Sequence, residues 1–284
     1  MNRRQFLKKF ALFSSCLIPP SILAGAFEQS QQFVIRRHKI ALMDLPLPWV
    51  GTKVAFVADF HHTWYFEQNK LQQAVDTLHA LQPNIILLGG DYVDYRVRPR
   101  AYLASAFEIL KQLKAPEGVY GVLGNHDAHE NLSFARKTMI KAGIVDLTNR
   151  FTHLTRNGSL LKLAGLSDVN TEIPRSDHAQ INKPQSECTL LLTHNPDVFE
   201  HLKMHVHYSF AFAGHTHGGQ VYIPGIGAPI ISSAFGQKYR YGFVKTYTGT
   251  VYVTSGYGTV YLPIRLFCEP EICLFTLERK MQES

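Results

Sequence analysis

Charge is sparse in this chain of 284 residues, where acidic and basic side chains make up 18% against 45% apolar residues. That balance excludes wholesale disorder, which needs high charge and little hydrophobicity. No internal repeat or low-complexity tract occurs, so the chain reads as one principal domain rather than an array. Cysteine is scarce, with only Cys16, Cys188, Cys268 and Cys273. None has zinc-finger spacing; Cys268 and Cys273 either pair in an oxidising compartment or stay as two buried thiols. The amino-terminal apolar stretch from Phe10 to Ile18 is short, whereas a bilayer span needs about 20 residues. Positive charge is also scarcer than the formal net of +7 and pI of 9.2 suggest. Residues 1–26 hold four of the 29 basic residues and no acidic one, leaving 25 against 22, a net of +3. A nucleic-acid partner is therefore not called for.

Residues 1–26 read as a targeting segment. They have a basic head from Arg3 to Lys9, a short apolar middle, and the small-residue pattern Ala24-Gly25-Ala26. Arg3-Arg4-Gln5-Phe6-Leu7-Lys8 resembles a twin-arginine export signal, with Asn2 where Ser or Thr is usual. Export would leave the protein periplasmic or membrane-associated. The alternatives are an uncleaved anchor, an amphipathic first helix, a lipid-modified Cys16, or residence at the cytoplasmic face of the inner membrane. Residues 27–50 form a lead-in segment, extended from Phe33 to Ile40 and broken at Pro46 and Pro48. A single domain then fills residues 51–280.

Within that domain, Lys53 to Ala58, Asn84 to Leu88 and Gly118 to Leu123 are apolar runs of strand length. Leu71, Val75, Leu78 and Leu81 repeat at helical spacing, as do Leu103, Phe107, Leu110 and Leu113, and a third helix is expected over 130–142. Alternating strands and helices predict a mostly parallel sheet covered by helices. Later segments, 144–166 and 187–193, read as strands with little helix. Hairpins are expected at 220–223, 240–247, 251–255 and 271–278, and an exposed loop at 167–186. Two sheets packed face to face with helices outside fit this pattern.

Every strong strand in the first half ends in a candidate metal ligand. The runs end in Asp59-Phe60-His61, Gly90-Asp91-Tyr92-Val93-Asp94 and Gly124-Asn125-His126-Asp127. Two later ones end in Thr193-His194-Asn195-Pro196 and Gly214-His215-Thr216-His217. Ligands at the carboxyl ends of neighbouring strands converge on one crevice. Carboxylates mixed with imidazoles suit Mn²⁺, Fe or Zn²⁺ better than Ca²⁺.

The five blocks, in this order, resemble the calcineurin-like metallophosphoesterase family. The arginine pair, His194-Asn195-Pro196-Asp197, His215 to Gln220, and Lys238-Tyr239 to Gly242 resemble its exported bacterial YkuE/YaeI-like phosphodiesterase branch. The resemblance implies a four-layer α/β-β/α sandwich of two mixed sheets flanked by helices. It implies two divalent metal ions, with Asp59, His61 and His217 at the first, Asn125, His194 and His215 at the second, and Asp91 bridging them. Manganese is the expected metal, with iron or zinc as alternatives. It further implies a metal-bridging hydroxide attacking phosphorus in line, His126 serving the leaving oxygen, and Asp127 fixing the orientation of His126. Asp94 is expected to hydrogen-bond a ligand.

The expected activity is phosphodiester or pyrophosphate hydrolysis. A related branch hydrolyses UDP-2,3-diacylglucosamine in lipid A synthesis, which is one alternative; a catalytically silent metal-binding protein is another. Arg96, Arg98 and Lys238 are candidate substrate contacts, with solvated basic loops as the competing reading, and Arg265 is similar. The expected partner is a phosphodiester, nucleotide-sugar or phospholipid-like substrate. A monomer with peripheral membrane association completes the expectation.

Overall fold

β2 (Lys53–Val57) and β3 (Ile85–Leu88) are apolar on both faces, and each face meets a different core. Val54, Phe56, Ile85 and Leu87 pack against Leu163, Leu192 and Phe212 of a second sheet. Ala55, Val57, Ile86 and Leu88 face the other way, onto helices. Strands buried on both faces belong in a parallel sheet enclosed between layers, where alternation of polar residues would be costly. Phe212→Ala, which would hollow the space between the sheets, would cost roughly 3–5 kcal/mol.

The computed structural model describes residues 19–63, 68–96, 99–182, 187–202 and 206–280. Most of the targeting segment and Arg98 lie outside these residues. The first sheet has the order β1-β12-β2-β3-β4-β5, where β1 is Val34–Leu42, β4 Val119–Gly121, β5 Val145–Asp146 and β12 Glu271–Arg279. All its pairings are parallel except β12 with β2. The second sheet runs β10-β11-β9-β8-β7-β6. It comprises β6 (Arg150–Arg156), β7 (Ser159–Leu166), β8 (Thr189–Thr193), β9 (Phe210–Ala213), β10 (Gly242–Lys245) and β11 (Thr250–Val253).

Helices α2 (Gln68–Leu81), α3 (Pro99–Leu110) and α4 (Asn125–Lys141) cover the outer face of the first sheet. Leu71, Val75 and Leu78 are buried there, as their spacing predicts. Helix α4 begins five residues earlier than expected and carries a non-helical Asn131, whose side chain accepts from the Phe134 amide. The outer face of the second sheet is covered by short 3₁₀ helices at Pro196–Glu200 and Gly236–Tyr239 and by the 167–182 loop. That loop is less exposed than expected, since Ser167, Asp168, Ala179 and Ile181 are buried.

Two expectations about the late strands need correction. Residues 220–223 form no hairpin strand, only isolated bridges from Val221 and Ile223. β12, expected in a hairpin, instead returns to the first sheet between β1 and β2. Its Cys273, Phe275 and Leu277 join the core between the sheets while Ile272 and Leu274 face the helices, so a site buried on both sides is the one it fits. Cys188, Cys268 and Cys273 are all free, buried thiols.

Helix α1 (Pro20–Gln31) carries Ala24-Gly25-Ala26 in its middle. Ala26 is buried, and its carbonyl accepts from the Arg265 amide at 2.8 Å. Among the described residues no helix is long and apolar enough to cross a membrane.

Candidate metal centre

The ligand-type residues follow β2, β3, β4, β8 and β9, which are neighbours within their sheets. Five of them have left-handed backbones: Asp59 (φ 59°), His61 (45°), Asp91 (53°), His215 (71°) and His217 (52°). Such conformations in residues other than glycine cost of order 1 kcal/mol each or more, and cluster where function requires them. They turn each chain sharply out of its strand, so that side chains from both sheets meet. Glycine makes the close approach possible. A Cβ on Gly124 would stand 2.1 Å from Asp91 Oδ1, and one on Gly214 would stand 2.6 Å from Asp59 Oδ2.

Among the described residues three groups have ligand atoms close enough to share one ion: Asp59, His61 and His217; Asp91, His194 and His215; and, between them, His61, Asp91 and His126. In the first, His61 Nε2 lies 2.9 Å from His217 Nε2, which is 3.7 Å from Asp59 Oδ1. In the second, His194 Nε2 lies 3.1 Å from His215 Nδ1. Asp91 Oδ2 stands between the groups, 3.5 Å from His61 Nε2 and 3.2 Å from His194 Nε2. Its other oxygen accepts from the His126 amide at 2.8 Å. The side-chain oxygen of Asn125 is buried without a hydrogen-bond partner. A buried acceptor left unpaired is costly unless a cation completes it.

Electrostatics agree with a cation site. Burial, then neighbouring imidazoles, push His61 and His215 down to about 3 and His217 well below its ordinary value. Their rings are therefore neutral, the form that ligates metals. Burial, reinforced by Asp91, pushes Asp59 up to about 7. At His194 burial is outweighed by Asp91, so the metal-free ring is held protonated, and a metal ion would take that proton's place. The donor set fits a divalent ion of the borderline kind.

His126 and its neighbours are arranged differently from expectation. Asp127 does not orient the His126 ring. Its carboxylate accepts from the amides of Asp91 (2.8 Å), Tyr92 (2.8 Å) and Gly124 (2.9 Å), tying two ligand loops together at the start of α4. The group facing the His126 ring is Asp94, whose Oδ1 stands 3.5 Å from Nδ1, beyond hydrogen-bond length but close enough for charge. Burial alone would lower His126, yet Asp91 and Asp94 outweigh it and raise its pKa. Asp94 also pairs with Arg96, whose guanidinium covers the Tyr261 ring at 4.4 Å.

Of the other candidates, Lys238 pairs with Glu200. Arg265 is fully buried and bonds the carbonyls of Gly258 and Gly256, with Nη2 3.4 Å from His217 Nδ1. It braces the His217 loop from within. Asp168 was not singled out from the sequence. It is fully buried, and its Oδ2 lies 4.0 Å from His194 Nε2 with no hydrogen-bond partner. The signal was present, because Asp168 follows β7, which pairs with β8, by the same strand-end logic.

The family described as calcineurin-like phosphoesterase matches residues 52–219. The chain is 30% identical to the uncharacterized metallophosphoesterase YkuE of Bacillus subtilis (strain 168), over 98% of both chains. It is 29% identical to the phosphodiesterase YaeI of Escherichia coli (strain K12), over 86% of this chain and 88% of that one.

Proposed function

The chain belongs to the calcineurin-like phosphoesterase family and is a metal-dependent hydrolase of phosphoester bonds, and we propose that it acts on diesters or pyrophosphates through a pair of divalent ions. The observation that carries this reading is Asp91 Oδ2, which stands between the two ligand groups within 3.5 Å of a histidine from each. Asp59, His61 and His217 would hold one ion, and Asn125, His194 and His215 the other, with Asp91 shared. Manganese suits this donor set, as do iron and zinc. When bound, such ions neutralise phosphoryl charge and acidify water.

The chain's own residues supply the rest. Water adds to phosphorus as the bond to the leaving oxygen breaks, and His126 gives that oxygen a proton. His126 is fitted for this because its ring presents Nδ1 to the Asp94 carboxylate, 3.5 Å away, and Asp91 and Asp94 raise its pKa against burial. The proton released by water restores the ring for the next cycle. Arg96 reaches this end of the site through its pairing with Asp94. The amino-terminal arginine pair supports export of this enzyme.

Metal analysis and turnover of one preparation test the reading together. The expected result is about two ions per chain, hydrolysis of bis(p-nitrophenyl) phosphate, and loss of both after dialysis against a chelator. Undiminished hydrolysis at negligible metal content would overturn it.

A further inference from the structure

A cavity opens beside the metal centre, lined by His217 and Thr216 on one side. Ile22, Leu23, Ile230, Val260, Leu262 and Leu266 supply most of the remaining wall, around a cavity of about 110 Å³. Among the described residues, no Lys, Arg, Asp or Glu lines it. The amide of Gln220, one of its few polar side chains, is already committed to the backbone at Val260, Leu262 and Ile264. A phosphate, nucleotide or sugar would lose its hydration here and gain little in return. An aliphatic chain loses nothing.

The mouth has the same character. Ile22 and Leu23 line the cavity yet remain 44% and 42% exposed, and Phe27 on the same helix is 51% exposed. Apolar surface thus continues from the cavity to the outside of α1. On its other flank the cavity ends at Tyr261, under the Arg96 guanidinium that pairs with Asp94 beside His126. Polar and apolar halves therefore meet at the metal centre, with His217 common to both.

We propose that this cavity receives the alkyl or acyl tail of an amphiphilic phosphoester whose phosphorus lies at the metal centre. The proposal rests on the phosphoesterase reading and narrows its substrate to esters carrying a long aliphatic chain. Each methylene taken out of water tightens binding about fourfold, so three or four of them give a preference on the order of 10².

The test compares p-nitrophenyl dodecyl phosphate with p-nitrophenyl methyl phosphate, below micelle-forming concentrations, on the full-length metal-loaded protein. The dodecyl ester should have a kcat/KM on the order of 10² higher, carried by KM. Leu262→Glu, which places charge in the cavity, and Val260→Trp, which fills it, should each bring that ratio toward one, with folding checked by thermal transition. Hydrolysis of both esters at a ratio near one would overturn the cavity assignment and leave the phosphoesterase reading standing. If neither ester is hydrolysed, calorimetric binding of dodecyl phosphate against methyl phosphate reads the cavity alone. Tighter dodecyl binding, lost in Leu262→Glu, would keep the tail site while the hydrolase reading falls. A preference that appears only after Phe10, Phe13 and Leu17 are changed to Ser would place the chain's own amino-terminal run in the cavity, and the proposal would fail.

Discussion

His194 Nδ1 lies 2.8 Å from the carbonyl oxygen of Gly89, and this one bond decides which nitrogen of His194 serves the site. A carbonyl only accepts, so Nδ1 carries the hydrogen, and Nε2 turns toward Asp91, His215 and Asp168. The backbone one residue before Gly90-Asp91 thus orients a ligand supplied by the other sheet. Such partners matter to a metal site nearly as much as the ligands do. His194→Ala should lower the metal content by about one ion per chain and the activity by at least about 10²-fold. Elemental analysis of the purified variant decides this, and unchanged metal content would remove His194 from the ligand set.

Asp59 makes metal binding depend on pH. An exposed carboxyl of this type has a value of 3.8, and burial raises Asp59 to about 7. With the folded value above the unfolded one, its stabilising contribution is present below 3.8 and is lost as pH rises through 7. Above that point the metal-free fold carries a buried carboxylate, and a cation relieves it. His61 and His215 act in the opposite sense, being neutral down to about 3, and so do not compete with metal near pH 5.5. The rise in Tm produced by saturating Mn²⁺ should therefore be larger at pH 8 than at pH 5.5. Affinity for the ion held by Asp59 should weaken roughly tenfold per pH unit below 7 for the one proton displaced there. Equal shifts in Tm at the two pH values would count against Asp59 as a ligand.

Much of this centre was legible because its logic is local. A strand run followed by Asp, His or Asn can be read directly, and Asp59, Asp91, Asn125, His194 and His215 all sit where that rule places them. The role of Asp127 was not legible, because its adjacency to His126 suggested a ring contact. The approach of the ring to Asp94 depends on how the β3 and β4 loops pack, which no spacing reveals. β12 escaped for a similar reason. Its apolar run fits either sheet, and only the gap between β1 and β2 settles its place. Asp168 was hidden by the polar stretch that follows it, which read as loop although the aspartate itself is buried.

The arginine pair gives a prediction about location. Arg3→Lys with Arg4→Lys should leave the full-length chain in the cytoplasm, whereas the unaltered protein should fractionate outside it. Fractionation of tagged full-length chains measures this directly. Unaltered protein confined to the cytosol would end the export reading.

His126 separates catalysis from metal binding. Its ring packs edge-on against His61 at 4.5 Å between centroids, and His126, His61 and Asp91 also bring ligand atoms within reach of one ion. Geometry alone therefore permits two roles, and the charge environment favours one. A ring whose pKa Asp91 and Asp94 raise is a better proton donor and a poorer ligand than its histidine neighbours, whose values are lowered. His126→Ala should leave metal content unchanged and lower kcat on an unactivated dialkyl ester by roughly 10²–10⁴-fold. The loss should shrink on p-nitrophenyl esters, whose leaving group departs without a proton. Asp94→Asn should move the same way but less far, because it removes the charge that holds the proton while leaving the ring in place. Loss of an ion in His126→Ala would make the histidine a ligand, and full activity on the unactivated ester would remove it from catalysis.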